Sequence, residues 1–117
     1  MEKLTKQVSG QVVFPGKARG RVTLYSADFK QARIPKGSII VAQMTSPQIV
    51  EALENVSAII TDLGGLTCHA AIISREMKIP CIVGTGNATQ IFKNNDRVKV
   101  DAYKGTVKLL RAHPASR

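Results

Sequence analysis

The chain contains no tryptophan, and its aromatic residues number only five: Phe14, Tyr25, Phe29, Phe92 and Tyr103. So few, and so scattered, they do not make the stacking platform on which single-stranded nucleic acids are bound. Cysteine is scarce too. Cys68 and Cys81 have no C-x-x-C spacing, which fits a reducing compartment better than a disulfide scaffold. With His69 and His113 they show no ligand-like repeat, so no metal site is expected. No apolar run approaches bilayer-spanning length, and the opening "MEKLTKQVSG" lacks the apolar segment of a secretory signal. A cytoplasmic protein without a membrane partner is the expectation. No Walker-type or kinase-like glycine loop is present. "GTGNAT" (84–89) has Thr89 where a dinucleotide fingerprint needs its third glycine.

Acidic residues are also in deficit, eight against 17 Lys and Arg, for a net charge of +9. The imbalance is regional. Residues 1–40 carry eight basic and two acidic side chains, and residues 76–117 carry eight and three. Residues 41–75 carry one arginine against three acids, so the positive charge flanks the middle of the chain. A nucleic-acid reading would rest on charge alone and is set aside; a basic surface attracts a phosphorylated or acidic partner equally well.

What is present is ordinary globular composition, 44% hydrophobic over 117 residues, enough for one core and no second module. "QVVF" (11–14) and "GRVTLY" (20–25) read as strands around a turn at 15–20, and "GSIIVAQM" (37–44) as a third. In "SPQIVEALENV", Ser46 is placed as an N-cap and Pro47 at the first helical position, with Ile49, Val50 and Leu53 on one face. "SAIIT" (57–61) is a buried strand, 67–77 a helix ended by Pro80, and "PCIVG" (80–84) another strand. "RVKVDA" (97–102) and "GTVKLL" (105–110) form a closing hairpin. The tail from about 111 is expected to be loose. The result is one α/β domain, antiparallel at both ends and parallel in the middle.

The stretch "TDLGGLTCHAAIISRE" (61–76) raises the functional question. The Gly64–Gly65 pair permits positive φ or close approach of another molecule. Thr67 reads as the helix N-cap, which puts His69 in the first turn, where unpaired N–H groups and the positive dipole end favour an anion. A neutral imidazole there, with one nitrogen exposed, is a nucleophile. Ile72, Ile73 and Met77 read as the inward face of the helix, with Ala70 and Ala71 allowing close packing. A histidine at the edge of a packed face remains the plain alternative. A Cys68–His69 dyad is poor, because adjacent helical side chains point about 100° apart.

The run "GGLTCHAAIISREMKIPCIVGTG" (64–86) closely resembles the phosphohistidine, or swivelling, domain of the phosphoenolpyruvate-utilising enzymes, with Ser74 and Lys78 standing where alanine and glycine are frequent. "GKARGRV" (16–22), "IIVAQMTSPQIVEAL" (39–53) and "DRVKVDAYKGTVKLL" (96–110) extend the resemblance over nearly all of the chain, implying a single mobile domain across 1–117. The implied fold is a three-layer β/β/α sandwich. The implied roles are His69 as phosphoryl acceptor through Nε2, with Nδ1 hydrogen-bonded; Thr67 as a supporting hydroxyl; Gly64 and Gly65 keeping the approach open; and Arg75 as anion contact or docking residue. Asp62 is a candidate for orienting the loop. The domain itself would bind no cofactor. ATP or phosphoenolpyruvate, with Mg2+, belongs to nucleotide-binding and phosphoenolpyruvate/pyruvate-binding modules acting in trans. The resemblance also admits a non-catalytic binding or regulatory module, like domains appended to some pyruvate kinases.

Overall fold

The computed structural model describes residues 6–26 and 34–114. Phe29 lies outside them. The strands are β1 (Gln7–Ser9), β2 (Gln11–Phe14), β3 (Lys17–Tyr25), β4 (Ser38–Ala42), β5 (Val56–Thr61), β6 (Cys81–Val83), β7 (Arg97–Asp101) and β8 (Thr106–Arg111). They are hydrogen-bonded in the order β1-β8-β7-β3-β4-β5-β6-β2. Strand β3 belongs to two sheets. Its first half, from Lys17 to Arg21, pairs antiparallel with β7, and its second half, from Val22 to Tyr25, pairs parallel with β4. At the corner, a Cβ on Gly20 would collide with the Gly37 carbonyl, so a glycine is required where the two strands meet.

The parallel sheet forms the middle layer because its strands are apolar on both sides. In β4, Ile39 and Val41 enter one core with Ala58, Ile60, Val98, Val100 and Phe92, between the two sheets. Ile40 and Ala42 enter the other, with Ile59, Cys81 and the helical residues Ile49, Leu53, Ala70 and Ile73. The expected three-layer β/β/α arrangement is therefore present, with the parallel strands in the middle and antiparallel ones at the ends.

Several local expectations are corrected. The turn read at 15–20 is confined to Pro15 and Gly16, because Lys17–Gly20 extends β3 against β7. Residues Pro47–Asn55 form a 3-10 helix, and only Ile49 and Leu53 of the proposed face are buried; Val50 is exposed. Ser46 occupies the N-cap position without capping, since its hydroxyl is bonded to the Tyr25 hydroxyl at 2.8 Å. Helix α1 runs His69–Met77 with Cys68, not Thr67, at its N-cap. Its buried residues are Ala70, Ala71, Ile73 and Ser74, while Ile72 and Met77 face out. The two alanines bring the backbone close to the sheet and rotate Ile72 away from it. Strand β1 and the short α2 (Ala88–Ile91) carried too little periodicity to be seen. The described part of the tail expected to be loose, residues 111–114, is held: Arg111 ends β8, and the His113 amide donates to Asp96 Oδ1 at 2.9 Å. Among the described residues no helix is long and apolar enough to cross a membrane.

Lys78 ends α1 in the left-handed conformation (φ 58°), its amide donating to the Ser74 carbonyl. Glycine adopts that geometry without a Cβ penalty, so Lys78→Gly should stabilise the domain by about 0.5–1 kcal/mol, read by chemical denaturation. Burial pushes the Cys81 thiol up to about 11, whereas Cys68 is half-buried. At neutral pH iodoacetamide should therefore label Cys68 and spare Cys81, by mass spectrometry. An unfolded Cys81 loses its proton above 9.0 while the folded one keeps it to about 11, so stability should fall across that window, less so in Cys81→Ala.

Candidate functional site

Strands β4 and β5 are parallel neighbours with Ala42 opposite Thr61, so their C-terminal ends deliver residues 43–46 and 62–68 to the same edge of the sheet. The two connections are tied by backbone bonds from Asp62 N to Ala42 O and from Leu63 N to Gln43 O, each 3.0 Å. Across this edge Thr45 Oγ1 meets His69 Nδ1 at 2.8 Å. Thr45 is buried and His69 half-buried. A hydroxyl accepts from a protonated Nδ1 and donates to a bare one, so this contact orients the ring in either tautomer. The other ring nitrogen, Nε2, has no hydrogen-bond partner among the described residues.

His69 is the first residue of α1, and no side chain caps that end of the helix. Its first-turn amides and dipole therefore remain available to an anion beside the ring. His69 lines a cleft of about 130 Å3 with Met44, Thr45, Thr61, Leu63, Gly64, Cys68 and Ala70. The wall is mostly apolar, and two of its residues, Met44 and Leu63, are about half exposed. The ring is supported on one side and reachable on the other.

The two glycines play different parts. Gly64 has φ +108°, and a Cβ there would sit 2.8 Å from Cys68 Sγ, so a side chain would be strained and crowded at once. Gly65 has nothing within 4 Å of where its Cβ would stand, so it leaves open space. Arg75 donates from its guanidinium to the Leu66 carbonyl at 2.6 Å, pinning the loop from the last turn of α1. Thr67 is exposed, and the hydroxyl on the imidazole is supplied by Thr45 instead. Asp62 orients a different loop from the one expected: Oδ1 accepts from Thr89 N at 3.1 Å, and both oxygens take hydroxyls, from Thr85 and Thr89. It thereby fixes "GTGNAT" beside the glycine turn, where Gly86 N also donates to the Asp62 carbonyl.

Thr45 is the residue that sequence reasoning passed over. Its signal was the Thr-Ser-Pro run, in which the serine was read as a cap and the threonine given no role. A Thr45→Val variant should keep the fold while freeing the ring. The imidazole 15N resonances should move toward the tautomer mixture of an unconstrained histidine, with a stability loss of about 1 kcal/mol. Unchanged ring resonances would show that packing alone holds His69.

A family model described as "PEP-utilising enzyme, mobile domain" matches residues 34–105. A probable phosphoenolpyruvate synthase of Methanothermobacter thermautotrophicus is 49% identical over 100 residues, covering 86% of this chain and 15% of that protein. The chain thus spans under a fifth of the length of that relative. The solution structure of an Enzyme I protein superposes with a TM-score of 0.57 at 34% identity, over 66% of this chain and 32% of that one. Aconitase X of Thermococcus kodakaraensis shares the fold, with a TM-score of 0.70 at 19% identity over 91% of this chain and 99% of that one.

Proposed function

The chain belongs to the mobile-domain family of the phosphoenolpyruvate-utilising enzymes, and from that premise we propose that it is a phosphoryl carrier whose acceptor is His69 Nε2. The observation that carries this reading is the hydrogen bond between His69 Nδ1 and the Thr45 hydroxyl, which leaves Nε2 as the nitrogen without a partner among the described residues, at an uncapped helix N-terminus and beside an open glycine turn.

In the proposed step the Nε2 lone pair attacks phosphorus. The N–P bond forms as the donor's P–O bond breaks, and the electron pair leaves with the donor oxygen. In this step Nδ1 keeps its proton and donates it in a hydrogen bond to the Thr45 hydroxyl, so the Nε2 lone pair is the one that attacks. Amides of the first turn of α1 face the charge that develops on the phosphoryl oxygens. The exposed Thr67 hydroxyl, at the mouth of the same turn, is assigned a contact with the bound phosphoryl group rather than with the ring. Arg75 acts on the loop through the Leu66 carbonyl. Transfer back to an acceptor reverses these bond changes.

Donor and acceptor belong to other modules. A nucleotide-binding one would hold ATP with Mg2+, and a second would hold phosphoenolpyruvate or pyruvate; no residue of this chain is assigned to the metal. The apolar rim formed by Met44 and Leu63 suits docking that excludes water from the transferring group.

Incubation with labelled phosphoenolpyruvate, or with ATP labelled at the β position, plus the partner modules of a phosphoenolpyruvate synthase should give an acid-labile, alkali-stable phosphoramidate. His69→Ala should abolish the label, and Thr67→Val should slow transfer about 10-fold or more with the fold intact. Label persisting in His69→Ala, or no label with any donor, would instead favour a binding module of the same fold.

A further inference from the structure

We propose that the outer face of the antiparallel sheet carries a second anion site, separate from His69, built by Arg21, Arg97 and Arg111 for a small phosphate-bearing ligand such as a diphosphate. The pairing register places Arg21 opposite Arg97 on β3 and β7, and Arg97 opposite Arg111 on β7 and β8. Three guanidinium side chains therefore stand in one rank across three adjacent strands, roughly 5 Å apart from strand to strand.

This rank depends on an irregularity. Val98 pairs with Leu109, so an unbroken antiparallel register would set Arg97 opposite Leu110; instead the register shifts by one residue and sets it opposite Arg111. Strand irregularities of this kind re-aim side chains, and here the shift adds a third cation to a pair already alike in charge. Like charges directly opposite each other destabilise a sheet. All three arginines are exposed, and none has an ion pair among the described residues. The next rank on the same face is also cationic, Arg19 opposite Lys99 and Lys99 opposite Lys108, and Asp101 opposite Lys17 is where opposite signs first pair.

The rank is also walled. Arg21, Arg97 and Arg111 line a cleft of about 210 Å3 with Asn95 and with Ala112, His113 and Pro114. The wall at 112–114 is held by the hydrogen bond from the His113 amide to Asp96, and Asn95 is fixed by its backbone N–H donating to the Val22 carbonyl at 2.8 Å. A concave floor with three guanidinium forks matches phosphate oxygens, which arginine binds bidentately. The site lies where β3 enters the parallel sheet, beside the start of β4, whereas His69 lies beyond the strands' opposite ends. It needs no phosphoryl transfer and stands whether or not His69 is a carrier.

The test is titration of the 15N-labelled 117-residue chain with inorganic pyrophosphate at about 150 mM salt, where surface attraction is largely screened. Amide shifts should be confined to Arg21, Asn95, Arg97 and residues 111–114. Arg97→Gln and Arg111→Gln, each checked for an unchanged melt, should weaken binding about tenfold, with Lys108→Gln within about twofold of the parent. Shifts spread over the whole basic face, equal losses in all three variants, or no binding would overturn the site. So would a poly-glutamate peptide or an oligonucleotide binding across the sheet where pyrophosphate does not, since the face would then be a macromolecular docking surface.

Discussion

Burial of β4 and β5 on both faces is the constraint from which the rest of the molecule follows. Each strand sends alternate side chains into two different cores, Ile39 and Val41 to one and Ile40 and Ala42 to the other. A one-residue slip would exchange the two sets and ruin both, so the register is fixed. Because it is fixed, the strands end level at Ala42 and Thr61, and the chain emerging from each is committed to the same edge. The Thr45–His69 contact joins residues far apart in sequence and follows from that levelling.

Small features then shape that edge around His69. Alanines let α1 lie close to the sheet, a positive-φ glycine turns the chain without a side chain in the way, and the missing cap leaves the helix amides unspent. None of these adds much stability, and Lys78 in a left-handed conformation is a small cost at the other end of the helix. The opposite side of the molecule has a different character. There the antiparallel sheet shows exposed cations across β3, β7 and β8, with the Asp101 carboxyl held below its usual range by the amides of Tyr103 and Lys104 in the hairpin turn. One end presents an apolar-rimmed histidine and the other a cationic floor, so a ligand on one need not obstruct the other.

Legibility followed the strength of the local signal. The apolar runs at 37–44 and 57–61 and the alternation at 97–102 were read as strands because burial on one or both faces writes itself into composition. The helix at 67–77 was visible through Pro80 and its apolar spacing, but its inward face was misjudged, since two alanines outweighed Ile72 and Met77. Pro47 announced a helix without revealing that it would be 3-10, and Ser46 looked like a cap until a distant Tyr25 took its hydroxyl. Strand β1 was too short to be seen, and its pairing with β8 is long-range.

The family, the layered α/β architecture and the placing of His69 at the start of a helix after two glycines are all legible in the order of the residues. Those properties are local, or are carried by a motif long enough to be specific. Which hydroxyl holds the imidazole, which loop Asp62 serves, and the sharing of one rank by three arginines from three strands emerge only in the folded chain. Each depends on which strands are neighbours and in what register, and that is settled by the global packing of two cores rather than by any stretch of chain alone.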